Sequence, residues 1–286
     1  MNTILVPTDF SAPADKALEL AERLAKQSGA ALHLLHAVDV PSTWRDGRFS
    51  TAVLATKNTK AQHDLYPEAR ERVGAARQQL ERETMRLTKK GITATYTLAA
   101  NAAWKEVIEA TGKLKADLVV MGTHGAGALE EAFLGSHAQR VIRMAKAPVL
   151  SLKHAASARL ERVALLADPG EQGIEKALNR LMKVIDLPRV RFHLLWVNTP
   201  ARFIDTDTAE NLLAKLAARL DGVTSTAIID HYSVTEGAIE YALHNSMDAI
   251  ALATHGRSGA SAFLNPSVAE ALANQSPLPT LTLRLG

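Results

Sequence analysis

The chain has 286 residues, 47% of them hydrophobic and 22% charged, a balance that excludes a disordered or fibrous protein and provides for about two ordinary domain cores. Lysine and arginine number 33 against 30 aspartate and glutamate, and the resulting +3 is too small for the basic stripe of a nucleic-acid binder. Cysteine is absent, which removes disulfides, thiolate catalysis and Cys-ligated metal or iron–sulfur sites, and fits a cytoplasmic location.

The first residues carry no basic segment followed by an apolar one, so no secretory leader is expected, and the chain reads as a strand from its start. No apolar run reaches the ~18–20 residues needed to cross a bilayer. Short apolar, β-branched runs predict strands at 3–7, 31–38, 92–98, 117–121 and 148–152, and helical periodicity fills 12–28, 64–90, 102–113 and 136–146 between them. A second set of strands follows at 162–167, 190–197, 223–229, 248–253 and 279–285. Alternation of this kind is the signature of βαβ units around a parallel sheet.

The second set is a copy of the first. Thr3–Asp9 (TILVPTD) resembles Arg162–Asp168 (RVALLAD) about 159 residues later, and Leu32–His36 (LHLLH) resembles Phe192–Trp196 (FHLLW) about 160 later. Ala116–Gly125 matches Met247–Gly256 at an offset of about 131, so the first copy carries about 29 extra residues. Two domains are expected, 1–153 and 160–286, joined by the short seam His154–Arg159. The extra residues around Pro41–His63 read as an excursion leading into a charged helix, either a plain solvated insertion or a cover for a site.

After the fourth strand of the first copy comes Met121-Gly122-Thr123-His124-Gly125, followed ten residues later by Gly135-Ser136-His137. Glycines around Thr-His let the backbone approach a ligand closely, and Gly135-Ser136 opens a helix whose free N–H groups suit a phosphate. No Walker A loop is present. Pro7-Thr8-Asp9-Phe10-Ser11 ends the first strand, and ligands of open parallel sheets sit beyond such carboxyl ends, so the two segments face one crevice if strands one and four are neighbours. Asp9 there suits a ribose hydroxyl or a divalent cation, or else caps the following helix with Ser11.

Gly122-x-x-Gly125-x(9)-Gly135-Ser136 resembles the nucleotide signature of the universal stress protein family, and Pro7–Ser11 resembles that family's opening motif. The flanks Asp117–Met121 and Ala147–Leu150 agree, and the likeness spans both copies. The resemblance implies an α/β chain of two tandem open parallel five-stranded sheets, each in the order 3-2-1-4-5, with helices on both faces. It implies an ATP (or AMP or ADP) site in which Pro7, Thr8 and Asp9 meet the ribose or a nucleotide-borne Mg²⁺. The backbone of Ala37 and Val38 reads the adenine; Met121, Gly122 and His124 line the sugar and phosphates; Gly125, Gly135, Ser136 and His137 hold the phosphate chain. It further implies that the two copies pair with one another through their last strands, Val149–Leu152 and Leu281–Leu285, and that the tandem chain forms a homodimer, with no nucleic-acid or membrane partner.

The second copy departs from the signature. Ala253 stands at the position of Gly122 and Pro266 at that of Gly135, with Ser267 retained, and the opening motif becomes Ala167-Asp168-Pro169-Gly170. Proline has no N–H for a phosphate, so nucleotide is expected in the first copy only, and the second is a structural partner or the host of another, apolar ligand. Arg257 follows the Thr-His-Gly turn of the second copy where the first has Ala126. No lysine or arginine falls within 122–137, so a regulatory binding protein is the stronger reading and a slow Mg-dependent ATPase or a plain scaffold the weaker ones. His33 and His36 sit three apart on a strand, on opposite faces, and cannot share a metal. Trp44, Trp104 and Trp196 are too scattered for a base-stacking platform.

Overall fold

A computed structural model describes residues 1–38, 67–100, 102–123, 134–153, 160–185, 187–255 and 267–285. The excursion at 41–63, the His154–Arg159 seam, His124, Gly125, Arg257 and Pro266 lie outside them.

The first half runs β1 (Thr3–Pro7), α1 (Ala12–Ser28), β2 (Ala31–Ala37), α2 (Pro67–Lys89), β3 (Ala94–Ala99), α3 (Ala103–Lys113), β4 (Leu118–Gly122), α4 (Ser136–Met144) and β5 (Val149–Leu152). The second runs β6 (Arg162–Leu166), α5 (Ile174–Val184), β7 (Arg191–Asn198), a 3₁₀ turn (Pro200–Arg202), α6 (Thr206–Ala217), β8 (Val223–Asp230), α7 (Val234–His244), β9 (Ala249–His255), α8 (Val268–Gln275) and β10 (Thr280–Leu285). The strands match those predicted from apolar runs to within about two residues.

The strands form one sheet of ten in the order β3-β2-β1-β4-β5-β10-β9-β6-β7-β8. Each half keeps the expected 3-2-1-4-5 order with parallel neighbours, but the two five-stranded sheets are continuous rather than separate. The junction is the antiparallel pair β5·β10, with Leu281 opposite Leu150. The buried Ser151 and Thr282 hydroxyls donate across it to the carbonyls of Thr280 and Val149, at 3.2 and 3.3 Å. Each half thus covers the edge strand of the other, which would otherwise stand open.

The central strands of this sheet, such as β1, β2 and β4, are buried on both faces, which is why they read as unbroken apolar runs, whereas the outer strands β3 and β8 are partly exposed. Ile4 and Val6 belong to the core layer that includes α1, α2, α5 and α6, whereas Leu5 belongs to the opposite layer, with α3, α4, α7 and α8. Helix α1 starts where Ser11 accepts from the Ala14 amide and ends at Gly29, whose φ of +75° lets its N–H turn back to the Ala25 carbonyl. The charged helix α2 is not solvated all round. Arg86 and Lys90 reach Glu22 of α1 at 2.8 and 2.6 Å. Burial alone would raise the Glu22 pKa, but the bonds and charges of Lys90 and Arg86 outweigh it and hold the carboxyl low.

The histidine pair behaves as strand geometry requires. His33 spans Thr95 Oγ1 and Thr97 Oγ1 at 2.8 and 2.9 Å, whereas His36 Nδ1 lies 2.7 Å from the Thr8 carbonyl. His193, at the place of His33 in the second half, bonds Ser225 at 2.6 Å, but Ala227 stands opposite Leu195 where Thr97 stands opposite Leu35. The His193 Nε2 is consequently buried without a partner. Ala227→Thr is expected to supply that partner and raise stability by about 0.5–1.5 kcal/mol in chemical denaturation, and an unchanged midpoint would contradict this account of the site.

Candidate nucleotide site

The turn after β1 is built before any ligand arrives. Phe10 adopts φ +61°, a left-handed conformation costing a non-glycine residue about 1–2 kcal/mol, and its neighbours hold it there. The Thr8 hydroxyl accepts from the Phe10 amide at 3.0 Å, and Asp9 Oδ1 accepts from the Ser11 amide and hydroxyl at 3.1 and 2.5 Å. His36 clamps the turn from β2. Its Nδ1 faces a carbonyl, so that nitrogen carries the proton, and its ring lies 4.6 Å from that of Phe10. Asp9 is thereby fixed at the carboxyl end of the sheet, beside Ser11 rather than at the end of α1.

Pro7, Thr8, Asp9, Ala37, Met121, Gly122, Gly135, Ser136 and His137 line one cleft of about 460 Å³, so β1, β2, β4 and α4 converge as the sequence anticipates. Val38 is absent from the lining, and its N–H is spent on the Ala99 carbonyl at 2.9 Å. Backbone groups alternate sides along a strand: the Leu35 carbonyl meets the Thr8 amide, so the Ala37 amide and carbonyl, two residues on, face the same side beyond the end of β1. Of the two, Ala37 presents a donor and an acceptor to the cleft. Sequence reasoning missed Ala103, which opens α3 at the cleft wall, and Thr123, whose hydroxyl donates to the Leu152 carbonyl at 3.2 Å. Ala103 belongs to no spaced motif, and Thr123 is an unspecified position within Gly122-x-x-Gly125.

The start of α4 opens on this cleft. The Gly135 N–H is already bonded to the Thr123 carbonyl at 2.9 Å, and the first recorded bond within the helix runs from the Gln139 amide to the Gly135 carbonyl. The amides of Ser136, His137 and Ala138 are the donors such a helix start leaves over. Among the described residues no side chain caps this helix, and its first turn holds no acid. Among the described residues no group of three or more His, Cys, Asp or Glu could hold a metal ion.

Gly122 has a second constraint. A Cβ there would sit 2.9 Å from the carbonyl carbon of Pro13, in the first turn of α1. Gly122→Ala is therefore expected to cost about 1–3 kcal/mol even without ligand, and a wild-type melting temperature would contradict this. The second half tolerates Ala253 because α5 opens eight positions after β6 ends, whereas α1 opens five after β1.

The corresponding second-half cleft has about 470 Å³ and is lined by Asp168, Trp196, Val197, Ala253 and Ser267 among others. Its helix start is closed. The Ser267 hydroxyl accepts from the Glu270 amide at 3.3 Å and donates to Glu270 Oε1 at 3.2 Å. Glu270, only 4% exposed, accepts from Gln139 at 2.6 Å and from Arg143 at 2.7 and 3.1 Å, both on α4 of the first half. Burial pushes the Glu270 pKa up, but the bonds from Arg143 and Gln139, the Arg143 charge and the Ser267 bond outweigh it and hold the carboxyl below its ordinary range. The Ser267-x-x-Glu270 spacing is a capping-box signature legible in the sequence.

The universal stress protein family pattern matches residues 1–153 and again 171–284. The chain belongs to the universal stress protein family. A universal stress protein of Mycolicibacterium smegmatis is 26% identical over 302 residues, covering 98% of this chain and 96% of that one. Another, from Methanocaldococcus jannaschii, is 30% identical over 151 residues, covering 52% of this chain and 81% of its own length. The crystal structure of a universal stress protein from Archaeoglobus fulgidus superposes with a TM-score of 0.72 at 18% identity, covering 100% of this chain and 99% of that one, a likeness of fold. Among the described residues no helix is long and apolar enough to cross a membrane.

Proposed function

We propose that this universal stress protein is a nucleotide-dependent regulatory protein that takes ATP, or AMP or ADP, in its first half only. The observation that carries the reading is the contrast between two equivalent helix starts. Among the described residues, that of α4 has no side-chain cap and no acid in its first turn and borders a cleft, whereas that of α8 is capped by Ser267 and carries a buried carboxylate. Phosphate gains from orphan amides and the positive end of the helix dipole in the first case and meets neither unopposed in the second. In the first half, the Ala37 amide and carbonyl would read the base, Asp9 the ribose or its Mg²⁺, and the Ser136 and His137 amides with the Ser136 hydroxyl the phosphates.

Binding is a better account than hydrolysis. No lysine or arginine lines the first cleft among the described residues, so the charge that develops on a departing phosphate would lack a fixed clamp there. Self-association has to use a surface other than the last strands, because β5 and β10 are paired with one another within the chain. Calorimetric titration of nucleotide-stripped protein with Mg-ATP is expected to give one site per chain. Two equal sites, or none, would overturn the proposal.

A further inference from the structure

The second cleft is as large as the first, yet its anion seat is closed, so what it lost is specific to phosphate. The strand-end backbone and the carboxylate of the recognition set are retained, as Val197 and Asp168. The Ala167 amide bonds the Leu195 carbonyl, so the same strand alternation turns the Val197 amide and carbonyl toward the cleft beyond β6, a donor beside an acceptor. Asp168 holds the end of β6 through the Gly170 amide at 2.9 Å, and the Arg202 guanidinium bonds its other oxygen at 2.7 Å from the rim. The Arg202 side chain is 77% exposed and paired with Asp168, so it is not held as a fixed phosphate donor in place of the missing ones. Apolar side chains of Trp196, Val234 and Leu252 form much of the walls, with Glu171 and Thr199 among the polar ones.

A slot with apolar walls, a donor–acceptor backbone edge and a carboxylate suits a planar heteroaromatic base carrying hydroxyls. Glu270 at the start of α8 opposes a phosphate on the same ligand. We propose that the second half is a site for an unphosphorylated purine nucleoside. The proposal rests on reading the first cleft as a nucleotide site, since it applies the same strand-end recognition to the other half.

Tryptophan indoles separate the two clefts. Trp196 lines the second, whereas Trp104 adjoins Ala103 at the first and packs under Arg140 of α4, 5.1 Å from the ring centre. The full-length chain labelled with fluorotryptophan, its resonances assigned through Trp196→Phe and Trp104→Phe, is titrated with adenosine, AMP and ATP. Adenosine is expected to shift the Trp196 resonance saturably, with AMP at least about tenfold weaker and ATP without effect there. Asp168→Asn is expected to weaken adenosine about tenfold at Trp196 while leaving the Trp104 response to ATP unchanged. An unmoved Trp196 with adenosine, or an equal response to ATP, overturns the inference. Failure of ATP to move Trp104 strikes the reading of the first cleft instead.

Discussion

Ser136→Asp is expected to weaken ATP binding by about 100-fold or more while leaving the melting temperature unchanged or slightly higher. The two effects have opposite signs for one reason. A carboxylate in the first turn of α4, which has no acid there, interacts favourably with the helix dipole by about 0.3–1 kcal/mol. The same carboxylate stands where the phosphate chain would lie, and like charges brought together at a binding site cost several kcal/mol. A variant that merely damaged the fold would lose both properties, so the divergence of the two measurements identifies the helix start as the anion seat. ATP affinity unaltered by Ser136→Asp would place the phosphates elsewhere.

Glu270→Ala is expected to destabilise the chain by about 3–5 kcal/mol, the usual consequence of removing one partner from a buried ion pair. Arg143 is 15% exposed at its side chain and Glu270 4%, so the guanidinium left behind cannot recover its hydration. The loss falls on the contact between α4 and α8, where residues at equivalent positions of the two halves, Gln139 and Glu270, meet. Two glutamates there would repel one another, and the duplication has diverged to one amide and one acid. The pH dependence follows from the lowered pKa. A carboxyl whose folded-state pKa lies below its unfolded value contributes stability that is present above the unfolded value, near 4.5, and is lost as pH falls through the folded one. Wild type is therefore expected to lose more stability than Glu270→Ala over the window below about pH 4.5, and parallel acid-denaturation profiles would contradict the assignment.

The fold was legible because the central strands are buried on both faces. Continuous apolar runs such as Leu118–Met121 and Leu32–Leu35 leave little room for another reading, and the repeat fixed their correspondence between halves. The single ten-stranded sheet was less legible, since the β5·β10 registry depends on partners about 130 residues apart and no local pattern encodes it. At the site, spaced motifs located the cleft but not two constraints on its members. Val38 spends its amide on β3, and Gly122 answers to Pro13 as well as to any ligand. Both constraints are tertiary. The closure of α8 was half legible: the capping box is written in Ser267-x-x-Glu270, but Arg143, which makes the buried carboxylate tolerable, lies on the other half of the chain.

The central claim is that one half of a duplicated chain takes nucleotide at its strand ends and the other does not. Photolabelling with an azido-adenine analogue of ATP, followed by peptide mapping, tests it most directly, because it reports which half holds the base. The label is expected on first-half peptides around Ala37 and Ala103, with Val197 and Val234 unmodified and full protection by excess ATP. Protectable label on the second half, at equal or greater yield, would contradict the account.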